Sequence, residues 1–299
     1  MRLLDIPADL AEDPRARQYV IDNLTPGMTI HRRIQVANKS RTRMHVQMYP
    51  DAAAITHGSF TGAAGSTRNE LTTWTSLDRT SLDIPAGAVA EDTVTIAVPA
   101  DAAPGERYAV VWAQVAGIHG SGGITLISRT GIRLYLSVGG KNPPSAAFTV
   151  DTMTAERDSA GNPVVLAQVH NTGGRAVDLS GTLSLSKISG SLRAGPYKVR
   201  LGTSLAPGQS EPVTIPVTDQ VANGPWNATI DLRSGLLDET ARAQITFPRT
   251  PGIALASAAT VTPAPTAARP ILIGVLIGTV LLGGVMITAT MIRRRRRSG

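Results

Sequence analysis

Residues 30–48 read IHRRIQVANKSRTRMHVQM. Ile30, Ile34 and Val36 alternate with His31, Arg33 and Gln35, and Met44, Val46 and Met48 alternate with His45 and Gln47. A period of two places each set on its own face of an extended chain. The intervening Asn38-Lys39-Ser40-Arg41-Thr42 has turn composition. The stretch predicts two strands of a half-buried hairpin. Arg32 interrupts the apolar phase and predicts a bulge or a strand end nearby.

The same signals recur at short spacing along the chain. Leu82, Ile84 and the turn Pro85-Ala86-Gly87 lead into Val94, Ile96 and Val98, and Tyr108–Val115 and 124–138 are further apolar, β-branched runs. Such spacing predicts an all-β sandwich. The second half repeats the pattern. Val36-Ala37-Asn38 resembles Val169-His170-Asn171, and Val94–Val98 resembles Val213–Val217. Pro85/Gly87 matches Pro207/Gly208, and Gly105/Tyr108 matches Gly224/Trp226. An internal duplication accounts for this. The expected fold is two tandem immunoglobulin-like β-sandwiches, residues 1–140 and 141–248, divided at the linker Gly139–Pro144 (GGKNPP).

Composition agrees. Of 299 residues, 4% are aromatic and 17% charged, with 29 Gly and 20 Pro, which suits short strands and turns. The formal charge is +7, but Arg293, Arg294, Arg295, Arg296 and Arg297 supply five of those charges, and subtracting them leaves +2. A near-neutral body with scattered basic residues has no track for a phosphate backbone, so nucleic acid is not an expected partner. The chain has no cysteine, which excludes disulfides, Cys-based zinc sites and thiol nucleophiles.

Residues 249–269 (RTPGIALASAATVTPAPTAAR) are rich in Ala, Thr and Pro and predict a flexible stalk. The run 271–292, ILIGVLIGTVLLGGVMITATMI, carries no charge. With Pro270 at its start it predicts one transmembrane helix over 270–292, long enough for a hydrocarbon core of about 30 Å. The basic tail 293–299 places the C-terminus in the cytoplasm and the body outside. A translocated body calls for a signal peptide, and the opening MRLLDIPADL is not one. Either the true start lies upstream of Met1, the favoured expectation, or the helix is a C-terminal anchor with the body cytoplasmic. Gly274 and Gly278 share one helix face and could support a helix-mediated homodimer.

Chemistry-bearing patterns are sparse. The five histidines lack metal-ligand spacing, no serine sits in GxSxG, and no phosphate-binding glycine loop occurs. No cofactor or metal is expected, and the chain reads as a non-enzyme. Residues 57–77, HGSFTGAAGSTRNELTTWTSL, form the longest polar excursion. Its Trp74, beside Arg68, Asn69 and Glu70, is the candidate ligand-binding cluster, because an aromatic face with adjacent polar groups suits a sugar or a peptide. The alternative is a Trp74 that caps the core.

MRLLDIPADL, DNLTPGMTIHRRIQVANKS, NELTTWTSL, LDIPAG, VTIAVPADAAPGERYAVVW and SRTGIRLYLSV, in that order, resemble the domain of unknown function 916, also described as the peptidoglycan-binding domain of WxL-interacting proteins. The resemblance covers about residues 1–140. It implies immunoglobulin-like sandwiches on a bacterial cell surface that contact peptidoglycan or a surface protein. It transfers no binding residues, and the chain has no WxL tripeptide of its own. The expected function is a membrane-anchored surface binding or scaffold protein. The alternative is a chaperone-like assembly factor for exported proteins, which predicts an unpaired apolar edge strand. A cell-wall hydrolase is the weakest reading.

Overall fold

The computed structural model describes residues 1–63, 65–119, 125–200 and 202–262. Residues 1–264 form one compact unit. The expected transmembrane helix, with Gly274 and Gly278, and the arginine run 293–297 lie outside the described residues. Among the described residues, no helix is long and apolar enough to cross a membrane.

The chain is all-β. Its first half comprises β1 (Arg2–Leu3), β2 (Val20–Leu24), β3 (Thr29–Ala37), β4 (Met44–Thr56), β5 (Ser59–Gly62), β6 (Thr75–Leu77), β7 (Ser81–Ile84), β8 (Val89–Ala97), β9 (Gly105–His119) and β10 (Thr125–Val138), with one short helix, α1 (Glu70–Trp74). One sheet has the order β1-β3-β8-β6 and the other β2-β10-β9-β4-β5, with β7 also on β4. These are the immunoglobulin strand orders A-B-E-D and A′-G-F-C-C′. Here β1 and β2 are the two halves of strand A, one antiparallel to β3 and the other parallel to β10.

The second half comprises β11 (Phe148–Arg157), β12 (Pro163–Asn171), β13 (Val177–Lys187), β14 (Arg193–Lys198), β15 (Thr203–Leu205), β16 (Ser210–Pro216), β17 (Trp226–Ser234), β18 (Leu237–Ile245), β19 (Gly252–Ile253), β20 (Ser257–Ala258) and β21 (Thr260–Thr262). Its sheets run β16-β12-β11-β19, with β20 also on β11, and β14-β13-β17-β18-β21, with β15 also on β13. Each half buries its own core. Ile34, Met48, Ile96, Val111 and Leu134 are in the first, and Val165, Leu183, Ile215, Trp226 and Phe247 in the second.

The strands predicted at residues 30–48 form, but not as a hairpin. β3 pairs with β8 and β4 with β9, in opposite sheets. Asn38 explains the crossover. It is 1% exposed, and its amide donates to the carbonyls of Thr42 (2.7 Å) and Ile84 (2.9 Å) while its oxygen accepts from Ser40 N–H. The side chain thus satisfies backbone groups that a hairpin ladder would otherwise pair. Nor does Arg32 break the strand. β3 runs through it without a register shift, and Arg32 shares the inward phase of Ile34, where Asp22 of β2 neutralises it. Burial holds the Asp22 carboxyl above its usual range despite that partner.

The duplication is visible at the same corner. Asn171, fully buried at the end of β12, donates to the carbonyls of Arg175 and Leu205, both at 2.9 Å, and accepts from Gly173 N–H. Asn38 N–H reaches Ala88 O, and Asn171 N–H reaches Gln209 O. Counting on from these two acceptors, Val94 corresponds to Ile215 and not to Val213. The slip is two residues, so both valines still face a core. Gly105, the first residue of β9, and Gly224, two residues before β17, stand at φ +138 and +118. Side chains disfavour that conformation.

The flexible-stalk expectation is corrected over its first half. β19 and β20 pair with β11, β21 pairs with β18, and Ala254 and Ala259 N–H bond to the carbonyls of Ala155 and Asp151. Segments whose small side chains cannot build a core of their own can still be ordered as edge strands, because the sheet edge supplies backbone partners. The stalk from residue 263 onward lies outside the described residues.

Candidate functional site

The four residues singled out in the 57–77 excursion sit on structured elements. Asn69 caps α1: its oxygen accepts from Thr72 N–H at 3.0 Å, the Thr72 hydroxyl accepts from Asn69 N–H at 2.8 Å, and the Asn69 side-chain amide donates to Tyr108 O at 2.8 Å. This reciprocal cap explains why so short a helix forms here. Glu70 pairs with Arg107 at 2.7 Å, and the Arg107 guanidinium lies 4.8 Å over the Trp74 ring. Trp74 is half-buried against the first core. Arg68 is exposed. None of the four lines the groove described below.

The groove lies on the outer face of the β10-β9-β4 sheet. It measures about 900 Å³ and is lined chiefly by His45, Gln47, Tyr49, Gln114, Ile127 and Arg129. Tyr49 donates to Gln114 Oε1 at 2.6 Å, and Arg129 stacks over Trp112 at 4.3 Å. The Trp112 ring lies against Gly131 and Gly62, where a Cβ would come within 2.6 and 2.8 Å of it. Asp51, on the same face of β4, is fully buried with no hydrogen bond to either carboxylate oxygen, and Trp112 Nε1 is likewise without a partner. Unpaired buried groups of this kind weaken a fold and need a reason.

The β9–β10 hairpin forms one wall of that groove and outruns its neighbours. β4 pairs with β9 only as far as Gln114, and β2 covers β10 only from Leu134 to Val138. β9 pairs with β10 from Thr125 to the end. The flank of β10 facing away from β9 therefore has no strand partner over Thr125–Arg133 among the described residues. Gly139 N–H, on that flank, donates to Leu24 O of β2. Strand backbones alternate direction, and the register shifts only between Thr125 and Ile127. The N–H and C=O groups of Ile127, Arg129 and Gly131 therefore point to the open flank. Ile127 is 60% exposed, and Ser128 through Gly131 are exposed.

The lower end of β10 enters the joint between the sandwiches. Asp178 of β13 accepts from Tyr135 OH at 2.9 Å, from Arg133 at 3.3 Å and from Ser204 Oγ, and Arg15 Nη2 lies 2.8 Å from its other oxygen. Arg133 also covers Phe60 at 4.6 Å. Glu106 accepts from Tyr108 OH at 2.6 Å and from Ala176 N–H at 2.7 Å. Gln209 donates to Ile55 O, and Ser204 N–H to Gly58 O. Burial raises the Glu106 carboxyl above its usual range against both bonds. Burial, then Glu106, keeps Tyr108 protonated, and burial, then Asp178, does the same for Tyr135.

No group of three or more metal-ligating side chains occurs among the described residues. Ser204, the serine nearest in sequence to a nucleophile-elbow pattern, is spent on the Asp178 bond in the joint. His31 bonds Thr95, and His45 pairs with Asp83 at the surface.

No protein-family model matches the chain, and no curated protein does. Solved structures similar to it include the CupB2 chaperone of Pseudomonas aeruginosa, at 12% identity and TM-score 0.41, covering 76% of this chain and 98% of that one. The Salmonella enterica SafA pilin–SafB chaperone complex matches at 10% and 0.41, covering 82% and 94%. The CsuC–CsuE chaperone–tip adhesion subunit complex of Acinetobacter baumannii matches at 15% and 0.39, covering 76% and 95%. At identities and TM-scores this low, neither a shared partner nor a shared role follows.

Sequence reading missed the open edge and the joint. The run 124–138 read as an apolar strand, but whether a neighbour covers it depends on where β2 and β4 stop, which no local pattern encodes. Asp178, Arg15 and Glu106 carry no local sequence signal, because the partners they meet in the joint are far away in sequence.

Proposed function

We propose that the chain is a non-enzymatic protein-binding module of the cell envelope, acting in assembly, that takes an extended segment of a partner protein as an added strand on β10. The observation that carries this reading is the flank of β10 over Thr125–Arg133, which has no strand partner among the described residues. Exposed edges invite strand addition, and natural proteins usually protect them. The tether is the run 270–292 with Arg293–Arg297, the body lies outside, and the resemblance to the domain of unknown function 916 supports a surface setting. Peptidoglycan binding is the second reading, favoured by the groove, whose Tyr49, Gln47 and Gln114 present planar polar groups to a sugar.

Site-specific photocrosslinking in the native host tests the choice. A crosslinker at Ile127 should capture a protein partner that one at Glu239 of β18 does not. Arg129→Pro removes an outward N–H without breaking the β9 ladder, and it should abolish the crosslink while the melting temperature holds. Crosslinks indifferent to Arg129→Pro sink the strand-addition reading. Salt-resistant pelleting of the full chain with isolated sacculi, without crosslinks, would favour the wall-glycan reading instead.

A further inference from the structure

The open flank has a chemistry as well as a geometry. Between Val115 and Arg133 the sequence reads VAGIHGSGGITLISRTGIR, with Arg129 and Arg133 as its charged side chains and no carboxylate. Both arginines stand at odd positions of β10, on the outer face that also carries Ile127. Arg129 is exposed, stacks over Trp112, and forms no ion pair among the described residues. Arg133 is held by Asp178, but that carboxylate is shared with Arg15, so the three groups together still carry one positive charge. A strand added to this flank places its outer-face side chains, two residues apart, beside Ile127, Arg129, Gly131 and Arg133 in turn.

From that alternation we infer that β10 selects extended segments carrying an acidic side chain opposite Arg129, preceded or followed two residues away by an apolar one opposite Ile127. This rests on the strand-addition reading and adds the partner's chemistry to it. Opposite charges at directly paired cross-strand positions attract and like charges repel. The edge arginines therefore discriminate among β-prone segments that the backbone alone would accept equally.

The test uses the full chain in detergent micelles and three end-blocked peptides of one β-prone sequence, differing only at the alternate positions of one face: Glu, Gln or Lys. Two readouts separate the two claims. Protection of the Ile127, Arg129 and Gly131 amides from hydrogen exchange reports strand addition. The ranking of affinities reports charge selection. The glutamate peptide should bind about tenfold more tightly than the lysine peptide, a gap that closes with added salt, and Arg129→Glu should reverse the order. Protection with equal affinities overturns the acidic preference and leaves strand addition standing. Absence of protection by every peptide overturns both. Because the wild-type chain carries both readouts, a variant that fails to fold does not blunt the test.

Discussion

The two sandwiches share a frame and differ at one flank. Each turns its second strand into the third through a buried asparagine, and each sets a positive-φ glycine at the entry to a hairpin, β9–β10 in the first and β17–β18 in the second. In the second sandwich that hairpin is tight. Ser234 pairs directly with Leu237, and the outer flank of β18 is closed by β21 over Thr240–Arg242. In the first, β9 and β10 run on past their neighbours, and β2 closes only the lower third of β10. The two sandwiches thus share their corners while their edges differ, one closed by residues 252–262 and the other without a strand partner over Thr125–Arg133 among the described residues. Cores and corners constrain folding, whereas an edge can change without disturbing either.

The largest contrast expected is in hydrogen exchange. The amides of Ile127, Arg129 and Gly131 should exchange orders of magnitude faster than those of β18 bonded to β21, since both strands are otherwise laddered. Equal protection would mean that the first edge is covered after all. Next in size are the asparagines. Asn38→Ala and Asn171→Ala each strand buried carbonyls and should each cost about 2–4 kcal/mol in denaturant unfolding. Costs that differ widely would show that the corners are not equivalent. The smallest effect is at the joint. Glu106 is raised by burial, so its contribution to stability is fully present below the ordinary glutamate value of 4.5 and is lost as pH rises through the higher folded value. Glu106→Gln keeps an oxygen acceptor for Tyr108 and Ala176 without the buried charge. It should match or exceed wild-type stability at neutral pH and flatten that decline, as followed by melting temperature across the pH series.

Much of the fold was legible in the sequence, since alternation and turn composition are local. The period of two in β3 and β4 found both strands, and the likeness of Asn38 to Asn171 found the repeat. What failed was pairing. A turn between two strands reads the same whether the chain doubles back or crosses to the opposite sheet, and the difference lay in where one buried amide finds its carbonyls. The Ala/Thr/Pro segment failed for a related reason: composition reports that residues 252–262 cannot make a core, not that an existing sheet will take them. Trp74 and its neighbours drew the eye because an aromatic in a polar stretch is conspicuous. An unpaired edge has no such residue to advertise it.

The tail that closes the second sandwich also sets how that sandwich meets force. Its contacts are three short ladders met in turn from the C-terminal side: β21 on β18, then β20 and β19 on β11. Tension applied beyond residue 262 reaches these before it reaches β17 and β18. Each ladder spans only two or three residue pairs, so under such tension the tail would peel away in steps at modest load while the packed interior stays intact. The closing strands are in that sense a mechanical fuse, spent first and able to re-form when the pull ceases.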